Sequence, residues 1–154
     1  MLLKGSCHCG AVTFQLESAH PYPFNLCYCS VCRKTAGGGG FAINLGGDAT
    51  SFKVKGETVI YHARIDGRKS PAERHFCGKC GSVLWLYDKR WPELIHPLAS
   101  AIDTELPIPP ERTHLMLASK APWVVVRSDS QDQCFDEYPA ESIAEWHERL
   151  GLTS

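Results

Sequence analysis

A chain of 154 residues is the size of one domain with a real core. Hydrophobic residues make up 44% and charged residues 21%, the range of ordinary soluble globular proteins. The net charge of −1 leaves no basic excess for tracking phosphates, which argues against a nucleic-acid partner, and no apolar stretch is long enough to span a membrane.

The opening Met1-Leu2-Leu3-Lys4-Gly5-Ser6 is too short for the apolar region of a secretory signal, so a cytoplasmic, reducing compartment is expected. Gly5 to Leu16 reads as a cysteine knuckle, Cys7-His8-Cys9, flowing into a strand. In that strand Val12, Phe14 and Leu16 alternate with polar residues and share one face. His20-Pro21-Tyr22-Pro23 is a break, and Phe24-Asn25-Leu26 leads extended into Cys27-Tyr28-Cys29-Ser30-Val31-Cys32. Cys27 and Cys29 share a face of an extended segment, and Cys32 returns after a tight turn, so all three can meet one ion.

Arg33-Lys34 and the run Gly37 to Gly40 follow, then a strand over Phe41–Leu45. A positive charge beside glycine N–H groups could cradle a carboxylate, and Arg33, Lys34, Gly38 and Gly39 are candidate substrate contacts against the plainer reading of a turn. Ser51–Val54 and Thr58–His62 read as strands around Lys55-Gly56-Glu57, with Tyr61 and His62 as candidate proton donors or as a packed strand end. Arg74-His75-Phe76 enters a second knuckle, Cys77-Gly78-Lys79-Cys80, and Ser82–Tyr87 leaves it as a strand. Leu106–Pro110 is irregular, and after it short strands or edges are expected at His114–Leu117 and Trp123–Val126. Pro139 to Leu150 reads as a helix with Ile143, Trp146 and Leu150 on one face and Gly151 to end it. The expectation is a mainly β single domain over residues 1–154 with short strands and a C-terminal helix.

Seven of the eight cysteines fall in three tight clusters. Cysteines at i and i+2 are badly placed to bridge each other, and seven is an odd number, so metal is favoured over a disulfide scaffold. A thiolate-rich set without carboxylates suits zinc, with an iron–sulfur cluster as the minor alternative. Four thiolates close a tetrahedral ion, and three leave one position open. Seven divides as four plus three. Spacing alone does not fix which clusters pair, though the arithmetic suggests the doublets for the closed site and the triplet for the open one. His8 and His75 sit beside these cysteines but should point to the other side of their strands. Cys134 stands alone in a polar stretch and reads as a bystander thiol.

The runs Gly5-Ser6-Cys7-His8-Cys9-Gly10, Cys27-Tyr28-Cys29-Ser30-Val31-Cys32-Arg33-Lys34 and Arg74-His75-Phe76-Cys77-Gly78-Lys79-Cys80-Gly81-Ser82 resemble the glutathione-dependent formaldehyde-activating enzyme (GFA) family, whose domain also occurs in centromere protein V. Asp103 and Ser119-Lys120-Ala121-Pro122-Trp123 resemble its closing motif. The resemblance covers about residues 3–126 and leaves 127–154, with the helix at about 139–150, as an extension. It implies a β-tent of antiparallel strands organised by cysteine-bound zinc. It also implies a structural zinc on Cys7, Cys9, Cys77 and Cys80 and a second zinc on Cys27, Cys29 and Cys32, the latter more open to loss. The activity implied is that of S-(hydroxymethyl)glutathione synthase, a carbon–sulfur lyase working on glutathione and an aldehyde. The alternatives are a zinc-stabilised binding module without catalysis and a lyase for another thiol adduct.

Overall fold

The computed structural model describes residues 1–153. In chain order its strands are β1 (Leu2–Ser6), β2 (Thr13–Glu17), β3 (Asn25–Cys27), β4 (Ala42–Ile43), β5 (Gly47–Asp48), β6 (Lys53–Lys55) and β7 (Thr58–Tyr61). They continue with β8 (Arg64–Ile65), β9 (Arg68–Lys69), β10 (Glu73–Cys77), β11 (Val83–Tyr87), β12 (Leu94–Pro97), β13 (Thr113–Leu115) and β14 (Gln133–Cys134). Two short α-helices, α1 (Ser30–Ala36) and α2 (Ile143–Arg149), and three single-turn 3-10 segments at Ala49–Ser51, Ala99–Ala101 and Leu117–Ser119 complete the described elements.

The strands form a three-stranded sheet β1-β2-β6, a five-stranded sheet β5-β12-β11-β10-β7, a four-stranded sheet β14-β13-β3-β4 and the hairpin β8-β9. Alternation drives the first. Leu3 pairs with Leu16 and Gly5 with Phe14, and these inward positions are buried. Phe14 meets Trp85 edge-on at 5.1 Å and Phe52 meets Trp85 at 4.8 Å, so one aromatic cluster joins the first two sheets. Leu45, Leu84 and Leu98 extend this core to the third sheet.

Two hairpin ends are built alike. In the first, the Cys7 N–H donates to Val12 O and the Gly10 N–H to Cys7 O. In the second, the Cys77 N–H donates to Ser82 O and the Gly81 N–H to Cys77 O. Gly10 and Gly81 have φ of 76° and 77°, a left-handed turn that glycine alone adopts without cost. This turn folds each pair of thiols back towards its own strand.

The structure departs from, or adds to, the sequence reading in several places. First, the two strands expected around Gly56 are present but belong to different sheets; β6 joins β2, and β7 joins β10. Gly56 sits so close under Ala11 that the chain crosses there from one sheet to the next. Second, β3, β13 and β14 run parallel to one another, within a fold whose other ladders are antiparallel. Third, the stretch Trp123–Val126 forms no strand; Val124 is buried while Trp123 and Val125 stand out, with no neighbouring ladder to pair with. Fourth, the last helix begins at Ile143 rather than near Pro139, because Ser142 and Glu145 close a capping box there. Trp146 is fully buried and stacks on Phe24 at 3.7 Å, which docks the C-terminal segment onto the approach to β3.

Candidate metal centres

The two knuckles converge. The sulfurs of Cys7, Cys9, Cys77 and Cys80 all lie within 4.8 Å of one another. Cys9 Sγ is 3.6 Å from Cys7 Sγ and 3.8 Å from Cys77 Sγ. Zinc–sulfur bonds of about 2.3 Å in a tetrahedron give sulfur separations of about 3.8 Å, so this set fits a closed four-thiolate ion. Cys7 and Cys77 are buried, and backbone N–H groups of Val12 and Lys79 donate to their sulfurs at 3.2 and 3.4 Å. Ser82 lies 3.2 Å from Cys80 Sγ; its side chain, with its own N–H and that of Cys9, holds this thiol down to about 5. Donors of this kind favour the thiolate that a metal needs.

Cys27, Cys29 and Cys32 form the second group, again within 4.8 Å of one another, and no fourth metal-binding side chain joins them among the described residues. The local fold explains their convergence. Cys27 ends β3, Cys29 caps α1, and Cys32 lies in its first turn. The cap bond runs from the Cys32 N–H to Cys29 Sγ at 3.3 Å. The return expected after Cys29 is therefore a helix start rather than a plain turn. Hydrogen bonds from Cys27 and then Cys32 hold the Cys29 thiol down to about 2. Cys27 is pushed up by the same contacts with Cys29 and Cys32 and by burial. A soft set of three thiols fits one zinc ion with a fourth position left over.

These sulfurs line a cleft of about 600 Å³. Arg74 lies in its wall and donates from Nη2 to Cys32 Sγ at 3.7 Å and from Nη1 to Thr35 Oγ1 at 3.3 Å. Asn25, Asn44 and His96 add polar groups, and Tyr138 to Ile143 of the C-terminal segment supply a further wall. The His96 imidazole is kept neutral by burial and donates from Nδ1 to Leu45 O at 2.9 Å.

Arg33, Lys34 and Gly38 line a different pocket of about 680 Å³, beside the four-thiol cluster, with Ser6, His8 and Asp103. Gly39 is exposed and lines neither space. Neither His8 nor His75 joins a cluster. His75 bonds Thr58 Oγ1 at 2.8 Å and Glu73 Oε2 at 3.1 Å and stacks on Trp85. His62 is a packed strand end, its Nδ1–H shared between Ser70 O and Ala72 O. Cys134 stands on exposed β14 outside both groups. The sequence reading passed over Arg74 and the wall formed by Tyr138–Ile143. A cation in a strand that runs into a knuckle was the available signal for Arg74. Nothing in the C-terminal stretch marks it as facing the thiols.

The chain is similar to known proteins over most of its length. The family model described as "Glutathione-dependent formaldehyde-activating enzyme" matches residues 2–118, which hold all seven clustered cysteines. A Halomonas elongata protein named "Putative glutathione-dependent formaldehyde-activating enzyme" is 67% identical over 154 residues, covering 99% of this chain and 98% of its own. A crystal structure of a Rhodobacter sphaeroides protein superposes with a TM-score of 0.53 at 26% identity, over 68% of this chain and 91% of that one. With its seven clustered thiols inside the matched region, the chain belongs to the glutathione-dependent formaldehyde-activating enzyme family.

Proposed function

We propose that the chain is a zinc-dependent carbon–sulfur lyase that joins the glutathione thiol to formaldehyde and releases it again. The observation that carries this reading is the three-thiol cluster opening on a cleft, separate from a four-thiol cluster that is complete in itself. Cys7, Cys9, Cys77 and Cys80 would hold a structural zinc. Cys27, Cys29 and Cys32 would hold the second ion, which supplies a position where a thiol is kept deprotonated and nucleophilic. The sulfur adds to the carbonyl carbon, a C–S bond forms, and the C=O π pair becomes an alkoxide. The alkoxide takes up one proton for the one the thiol gave up, leaving a hydroxymethyl thioether. The reverse reaction breaks the same C–S bond.

The protein's own part is positional. β3 and the first turn of α1 hold the three sulfurs in place, and buried Cys27 and Cys32 leave approach from the cleft alone. Gly39, outside both spaces, has no role in this proposal, and Arg33, Lys34 and Gly38 have a narrower one. Any carboxylate they bind belongs to a part of the ligand that reaches round α1.

The test combines elemental analysis with exchange spectroscopy. Protein purified without chelator should carry about two zinc ions per chain, as four-thiolate and three-thiolate sites imply. It should speed the exchange of formaldehyde with S-hydroxymethylglutathione, read by NMR above the uncatalysed rate. Two zinc ions without acceleration would refute the formaldehyde reaction. A second reading is a lyase for another thiol adduct, since a cleft of about 600 Å³ is the size of an ordinary small-molecule site and does not single out a one-carbon aldehyde. Turnover of a larger hemithioacetal in the absence of formaldehyde exchange would select it.

A further inference from the structure

We propose that Arg74 is the positioning residue that lets the three-thiol cluster accept a fourth, substrate thiolate. The inference rests on the reading of that cluster as a metal centre open to a thiol. Three cysteinates on a divalent ion leave one net negative charge, and an incoming thiolate makes two. That second charge must be offset at a site whose sulfurs are largely buried.

Arg74 is placed for this. Its guanidinium spans one turn of α1 as a fork, with one nitrogen on Cys32 Sγ at 3.7 Å and another on Thr35 Oγ1 at 3.3 Å. The Thr35 hydroxyl in turn donates to Val31 O at 2.7 Å, so the anchor is itself oriented. A hydrogen bond from a cation draws charge from Cys32, which weakens that sulfur as a donor and makes the remaining position better at holding another thiolate. The fork needs arginine, because a lysine ammonium is a point charge that cannot hold both partners in this geometry. Arg74 also stands on β10, three residues before Cys77, so the strand that ends in the four-thiol cluster fixes a cation against the three-thiol one. A simple carboxylate clamp is the competing role, since Arg74 also lines the cleft.

The experiment loads the full chain with two equivalents of cobalt(II), a coloured stand-in for zinc. It follows the thiolate-to-cobalt charge-transfer band on adding glutathione or 2-mercaptoethanol, which has no carboxylate. The wild type should bind both. In Arg74→Gln the far-ultraviolet circular dichroism and the uptake of two cobalt ions should be retained. Affinity for both thiols should fall by about 10- to 100-fold, as for other groups bonded to metal ligands. Arg74→Lys should recover part of the loss for both.

Unchanged affinities in Arg74→Gln would overturn the proposal. So would a loss for glutathione alone, which would make Arg74 a carboxylate clamp, or failure to take up the second cobalt, which would make it a structural prop. If Arg74→Gln does not fold, Arg74→Lys decides alone: wild-type affinity for both thiols overturns the proposal, and a loss shared by both supports it. If wild-type protein with two cobalt ions ignores both thiols, the open-site reading itself falls and takes this inference with it.

Discussion

Tyr28 Oη lies 2.9 Å from His114 Nδ1, in a buried chain that ends on Asp132. Burial raises the Asp132 carboxyl, but the Arg112 N–H and His114 outweigh it and hold it below its ordinary range. Ionised Asp132 accepts from His114 Nε2–H at 3.2 Å, which leaves Nδ1 to accept from the Tyr28 hydroxyl. Tyr28 sits between two candidate ligands in sequence, yet its hydroxyl turns to β13. Tyr28→Phe should therefore leave Nδ1 buried without a donor, at a cost of about 1–3 kcal/mol in urea unfolding. Zinc content should stay unchanged. An unmoved urea midpoint would show that the chain adds no stability.

His147 gives a pH dependence. It is fully buried on α2, where Nδ1–H donates to Ile143 O at 2.8 Å and Nε2 accepts from the Tyr22 N–H at 3.3 Å. Its pKa is lowered, by burial first, and the ring of His20, also lowered by burial, lies 5.0 Å away. The folded chain thus keeps an imidazole neutral that the unfolded chain protonates below about pH 6.5. Stability from this site is full above that value and falls as pH drops below it. Urea unfolding at pH 7.5 and 5.5 should show a loss for the wild type and a smaller one for His147→Gln, which starts less stable. Equal losses would remove His147 as a source of the dependence.

The three cysteine clusters were legible because thiol spacing is a local signal, and so were β2 and β11, where apolar residues surround the knuckles. Helix α1 was not. Seven residues are too few to show a helical period, and its cap is a cysteine rather than serine, threonine or aspartate. The crossing at Gly56 and the parallel pairing of β3 with β13 are tertiary choices. They depend on Ala11 and on residues more than eighty positions away from β3, which no window of sequence contains. The contact of Arg74 was hidden for the same reason: its partner Cys32 lies 42 residues earlier.

The C-terminal segment stands on Trp146. Its ring is fully buried on Phe24 and its Nε1 has no hydrogen-bond partner among the described residues, so packing alone holds the indole, while α2 is also tied by the Tyr22 N–H to His147 and by Arg149 to Glu111. Trp146→Ala should cost about 3–5 kcal/mol in unfolding experiments. Because Tyr138 to Ile143 form a wall of the cleft and lead into α2, limited proteolysis of this variant should cut first beyond residue 126. Cleavage at the wild-type rate would mean that the segment is held by something other than this stack.

The division into a closed and an open site predicts opposite behaviour for two serine substitutions. Cys77 is buried at the end of β10, within a set whose metal binding would be folding energy, on the order of 10 kcal/mol in small zinc domains. Cys77→Ser should lose cooperative unfolding and both metals. Cys29 is half-buried and caps α1 through its sulfur, and serine is a better cap than cysteine, so the helix start survives the change. Cys29→Ser should keep the fold, retain about one zinc per chain in place of about two, and lose any response to added thiol. Differential scanning calorimetry with elemental analysis reads both variants. If the two unfold alike, the clusters share one structural job, and the cleft beside Cys27, Cys29 and Cys32 loses its claim to be an open metal centre.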